Sequence, residues 1–448
     1  MLNISDPATA FIEAATVPLD GPHVSGTLHE ADAILGAHPE IPSHSVYTAA
    51  VLGDEHAIRN FLDLDAGHAT AKGGPRAWDA LTYLCFSRYL RLDPARSDAF
   101  VRAAAALLDA GANANTGWLE ERHEPNPEWE SAIYGASGIA HHAGLTGLLL
   151  ERGADPNDNE TPYHTPETYD NAALRVLVES GRLTPDSLET MLLRKADWHD
   201  ADGLAFLLGR GGDPNRMIRW PRTALHHALL RDNALQQIDT LLDYNADPGI
   251  VSRAEGRSAA EIAARRGRGD VLASLTRRGF RLELQGIARL LAACAIGDAN
   301  GARLDLERET GIARELEVHG GTFLAEFAGN GNTSGVRCLL DLGVPVDSRY
   351  QEGDAYYDVA PGSLAIHVAA WRARHQTLDL LIARGSPIDA IDRNGRTPMM
   401  LAVRACVDSY WMEQRSPESV RALMAAGASA RGVPYPSGYK EVDDLIGA

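Results

Sequence analysis

Two pairs of adjacent histidines, His226 and His227 in "TALHHALL" (223–230) and His141 and His142, are the first groups in this chain whose chemistry asks for a reading. Paired imidazoles suggest a metal site or a general base. Neighbouring helix residues, however, project about 100° apart, and two side chains share a helix face only at spacings of three or four. Each pair is therefore expected to face two ways and to ligate no ion jointly. His23, His29, His38 and His44 are separated by 6, 9 and 6 residues, which again brings no two rings together on one helix, and a surface or capping role is expected for them. "GNGNTSG" (329–335) imitates a phosphate-cradling loop but has no strand pattern before it. In "DWHDADG" (197–203), placing Gly203 at the sixth position of a calcium loop puts Trp198 at the first and Gly209 at the twelfth, so both key carboxylates are missing. No H-E-x-x-H, G-K-[ST], G-x-S-x-G or C-x-x-C occurs. Cys85, Cys294, Cys338 and Cys406 are far apart in the sequence among small or apolar neighbours, so reduced, packed thiols are expected. No catalytic residue, cofactor or metal is assigned at this point, and the chain reads as a non-enzyme.

With no local chemistry to explain, the elements that carry these residues become the question. The 448 residues are 45% apolar, which suits a folded protein, and 61 acidic against 42 basic residues give a net charge of −19. That balance speaks against nucleic acid and against an anionic membrane surface, and favours a partner with basic residues. No long apolar run and no basic, apolar start are present, so a cytoplasmic protein is expected. Only three lysines, Lys72, Lys195 and Lys440, stand among many arginines, a bias that hints at a bacterial genome.

One phrase recurs: two apolar residues, two variable ones, a glycine and a short turn, as in "LLDAGANAN" (107–115), "LLERGADPN" (149–157) and "LLDLGVPVD" (339–347). Its glycine position falls at 111, 153, 181, 211, 245 (an Asn), 279, 311, 343, 385 and 427, spaced 42, 28, 30, 34, 34, 32, 32, 42 and 42. Before each phrase stands a hydroxyl followed by an apolar run ending in alanine: "RTALHHAL", "GRSAAEIAARRG", "GRTPMMLAV". A hydroxyl there caps a first turn, proline next to it surrenders no needed donor, and glycine relieves the left-handed C′ position. Two short antiparallel helices per unit follow.

These residues resemble the ankyrin-repeat family, whose T-P-L-H-x-A signature is approached by "TALHHA" (223–228), "SLAIHVAA" (363–370), "TPMMLA" (397–402) and, less completely, "TPYH" (161–164). The resemblance implies an all-α solenoid of roughly eleven helix-turn-helix units with finger-like turns, and the irregular stretch 281–320, which carries no standard finger, is expected to bend or split it near residue 285. It also implies that His226 bonds to local backbone. Residues 1–40 read as a degenerate N-terminal capping repeat, 41–285 as an N-terminal array, and 286–448 as a C-terminal array closed by the helix in "GYKEVDDLIGA".

The 42-residue periods mark insertions. "TGWLEERHEPNPEWE" (116–130) and "SRYQEGDAYYDVAPG" (348–362) fall in fingers, and "CVDSYWMEQRSP" (406–417) falls between two helices. Insertions of this kind are where repeat folds carry binding function. Trp118, Glu120, Glu121, Trp129, Glu130, Trp220, Tyr350, Tyr356, Tyr357 and Asp358 are the expected contacts with a protein or peptide partner. The expected function is a non-enzymatic interaction scaffold working through a finger and first-helix face. Two alternatives stand beside it: a small-ligand protein or enzyme with a site in 286–335, and a bacterial effector or immunity-type protein neutralising a basic partner.

Overall fold

A computed structural model describes residues 6–447 except 20 and 410. Parts of the N-terminal cap (1–5 and 20) and of the third insertion (Tyr410) therefore lie outside the described residues. The chain divides into two compact units, Met1–Ala246 and Asp247–Ala448.

In the first unit, helices follow one another in short pairs. Pro7–Ala15 and His29–Ala37 form the opening pair, and Val46–Leu52 with Glu55–Leu64 the next. The series continues to Ala224–Leu230 and Leu235–Asp243. Capping follows the hydroxyl pattern: the Thr223 side chain accepts from His226 N at the start of Ala224–Leu230. The residues at the recurring glycine position take left-handed φ between 66° and 103°, Asn245 included, with Gly311 the exception. The core lies between the helices of successive pairs, where Leu107, Leu149, Leu207 and Leu241 are each 0% exposed.

The second unit repeats the arrangement from Ala259–Arg265 and Gly269–Arg277 to Pro398–Val407 and Glu418–Ala425, with Lys440–Ile446 as the terminal helix. Thr397 caps Met400 N at 3.2 Å, with Pro398 at the first helical position. Ser258 and Glu261 form a reciprocal capping box. Here one sequence assignment is corrected. Gly311 is no C′ glycine: it lies in the first turn of a 20-residue helix, Thr310–Gly329, and has no left-handed φ. "RETGIA" lacks the two apolar residues before the glycine, so nothing anchors a helix end there.

A second correction concerns the fingers, which are not purely helical and turn structure. The first insertion forms an antiparallel hairpin of strands β1 (Gly117–Glu120) and β2 (Glu128–Ser131). The second holds a two-residue ladder, β3 (Arg349–Tyr350) with β4 (Ser363–Leu364). Gly117 is obligatory in the first, because a Cβ there would stand 2.2 Å from Glu130 O. The cysteines, distant in sequence, are not all distant in space: Cys294 and Cys338 are free thiols with their sulfurs 3.0 Å apart.

Candidate functional site

Strand alternation sorts the first insertion into two faces. Register pairs Trp118 with Glu130 and Leu119 with Trp129. Trp118 and Glu130 turn inward and are buried; Leu119 and Trp129 turn outward and are 50% and 42% exposed. Glu120, which shares the inward parity, is half-buried, and Glu121 is exposed.

Under the inward face lies an aromatic and carboxylate cluster drawn from distant parts of the unit. Trp118 stacks on Trp78 at 5.1 Å and meets the ring edges of Phe86 and His23. His23 comes from the loop between the first two helices. Its Nδ1 is 3.0 Å from Tyr134 Oη, and its Nε2 is 3.7 Å from Glu120 Oε2. Tyr134 ends the short helix Ala132–Tyr134 that Ser131 caps, just before a wide π-type turn at Gly135–Ile139. Both carboxylate oxygens of Glu130 are buried without a hydrogen-bond partner. Burial, reinforced by the charges of Glu160 and Glu120, pushes the Glu130 carboxyl up to about 9, and burial holds the His23 imidazole below its ordinary value.

Next to it, the charges are matched. His164 meets Glu160 at 3.0 Å through Nε2 and Glu167 at 2.9 Å through Nδ1. Burial opposes its protonation, but the bonds to the two carboxylates overcome that and lift it to about 9. Arg194 joins Glu167 to Asp197. Asp197 in turn receives His227 Nε2 at 2.7 Å and Arg231 at 2.6 Å. His226 instead meets Thr223 Oγ1 at 2.6 Å, so the adjacent histidines serve different partners, as their angular separation requires.

The second unit's insertion is packed differently. Tyr350 and Tyr357 are buried: Tyr350 Oη donates to Glu326 at 2.8 Å, and Arg372 lies over the Tyr357 ring at 3.9 Å. Arg266 pairs with Glu326 at 2.9 Å. Asp358, exposed, is bracketed by Arg396 and Arg404. Tyr356 is half-buried, edge-on to Tyr357.

Of the ten residues expected to meet a partner, then, Trp118, Glu130, Tyr350 and Tyr357 are inside the protein. Composition put these residues among the partner contacts, whereas alternate residues of a strand turn inward to fill the space beneath it. Trp220 is half-buried, with Arg219 over its ring at 4.2 Å. Glu121, Trp129 and Asp358 are exposed. His23 is a further correction: it sits in a long-range cluster rather than at the surface, and the helix-spacing rule had no means of seeing it. The shared parity of "GWLE" and "EWES" was the one signal for its two glutamate neighbours. Asn330 and Asn332, from the glycine-rich 329–335, donate to the carbonyls of Arg266, Gly267 and Ala295 and so tie neighbouring turns together.

No family model matches the chain, and no curated protein matches it. Among solved structures, 52% of the chain is similar to 96% of the human ASB11 ankyrin repeat domain, at 20% identity and a TM-score of 0.24. The class that the fold itself defines is a mostly helical protein built of serial helix pairs with a few short strands. Among the described residues no helix is long and apolar enough to cross a membrane.

Proposed function

We propose that this chain is an ankyrin-type repeat scaffold without enzymatic activity, which holds a protein or peptide segment bearing basic residues against the outer face of the β1–β2 hairpin. The observation that carries the reading is the exposed, cross-strand pair of Leu119 and Trp129, flanked by the exposed carboxylates of Glu121 and Glu124. A large aromatic beside a leucine supplies an apolar anchor, and the acids around it select a cationic partner. The ankyrin reading is supported by the signature positions behaving as caps: Thr223 and Thr397 hold first turns, and His367 Nε2 reaches Ala390 O of the following turn at 2.9 Å. Cytoplasmic location and a bacterial source belong to the same proposal and rest on composition alone.

The test uses full-length protein and a Leu119→Ser/Trp129→Ser double variant as baits in lysate of the native organism. The reading expects a partner that the intact chain recovers, that the variant loses at least about tenfold, and whose purified binding weakens with salt. Equal recovery by both baits rejects the hairpin face. No specific contact favours a site at 286–335, since the asparagine amides there bond to neighbouring carbonyls.

A further inference from the structure

We propose that His23, Glu120 and Glu130 form a binding site for a divalent transition cation of the zinc class, held through His23 Nε2 and one oxygen from each carboxylate. Among the described residues this is the one set of three such side chains whose ligand atoms all lie within 4.8 Å of one another. Tetrahedral ligands at about 2.0–2.2 Å from a common ion lie about 3.3–3.6 Å apart, so the set must draw in by about 1 Å to close.

Two further features point the same way. Glu130 is 1% exposed and no donor group reaches either of its oxygens, which lie in the cluster beside Glu120; a buried acceptor without a donor is uncommon. The histidine ring is placed for ligation: Nδ1 lies 3.0 Å from Tyr134 Oη and Nε2 faces Glu120, so the tautomer protonated at Nδ1 offers its Nε2 lone pair to an ion. Metal-binding histidines are held through their second nitrogen in this manner. The neighbouring histidine shows the contrast, because His164 meets its two carboxylates through opposite ring nitrogens and has no lone pair left to share with them.

One imidazole with two carboxylates suits zinc, manganese or iron better than magnesium or calcium, which prefer oxygen ligands throughout. Three protein ligands leave room for water or another group at the ion. The site lies beneath the hairpin whose outer face is the proposed docking surface, yet it stands without that reading, since it concerns the opposite face and needs no partner.

The experiment titrates cobalt(II) into chelator-treated full-length protein and follows visible absorption, with zinc as competitor. The expected result is a band that saturates at one equivalent and is displaced by zinc. Glu130→Gln and His23→Gln should each lose it, Tyr134→Phe should weaken binding about 10–100-fold, and His38→Gln should leave it unchanged. Melting curves of the same variants establish that they are folded. Glu130→Gln removes a buried ionisable group and is expected to fold at least as well as the parent. No saturable band in the parent chain, or the same band in a folded Glu130→Gln variant, overturns the proposal.

Discussion

The two finger insertions, 116–130 and 348–362, are nearly interchangeable by composition, yet they differ in how they neutralise what they bury. Both lengthen a repeat to 42 residues and both mix aromatics with acids. Under 348–362 arginines answer the acids: Arg266 meets Glu326, and Arg396 and Arg404 meet Asp358. Under 116–130 no cation or donor group answers the buried Glu130, which has the carboxyl of Glu120 beside it, and Glu120 itself faces a histidine. Both also hold ring–ring contacts, Trp118 on Trp78 in one and Tyr356 edge-on to Tyr357 in the other. The lesson is that the counter-charge, supplied from elsewhere in the fold, decides whether an acidic insertion is a closed structural element or a chemically unfinished one.

Mutation should widen the contrast. The largest effect is expected from Arg266→Met, which takes the counter-charge from the half-buried Glu326 and should lower stability by about 3–5 kcal/mol in urea unfolding. A loss near zero would mean that the arginine is not what balances the second insertion. Trp118→Ala should cost a similar or slightly smaller amount, about 3–4 kcal/mol, through the cavity it leaves against Trp78 and Phe86. The unit cores offer a reference: Leu241→Ala and Leu339→Ala, both 0% exposed in the parent, should cost about 2–5 kcal/mol each.

In the first insertion the matching charge deletion should act with the opposite sign. The unfolded chain releases the Glu130 proton near 4.5, while the fold keeps it up to about 9. The native state thus binds more protons across that window, and stability falls as pH rises through it. In metal-free buffer, Glu130→Gln should therefore raise stability at pH 8 by on the order of 1–3 kcal/mol and change it little at pH 4. A destabilised variant at pH 8 would break the comparison.

A smaller effect belongs to His164, whose folded value of about 9 exceeds its ordinary 6.5. Its contribution is full below about 6.5 and is lost as pH climbs through 9. The gap in melting temperature between the parent and His164→Gln should shrink over that interval. The smallest change is expected on the outer face, where Leu119→Ser/Trp129→Ser should alter stability by under about 0.5 kcal/mol per site while abolishing partner recovery.

What the sequence makes legible is whatever is local. Helix starts at Thr223, Ser258 and Thr397, and turns such as that at Gly343, depend on residues within four positions of each other, and they are found where the pattern puts them. The terminal helices Pro7–Ala15 and Lys440–Ile446 were readable for the same reason. Gly311 was misread because spacing alone selected it, without the apolar pair that ends a helix. The candidate site was mostly illegible. His23 and Tyr134 are brought together by stacking of repeats, and no periodicity links them; the inward turn of Trp118 and Glu130 depends on strand pairing inside a segment that composition marked only as a loop.

The bond between His23 and Tyr134 spans 111 residues, and this bears on the order in which the chain assembles. Contacts between adjacent helices close short loops and form quickly, whereas one of this span waits on a much larger search. During synthesis the opening helix pair emerges well before the hairpin that covers its loop. The His23 cluster is accordingly a late event, completed after the helix pairs that it joins.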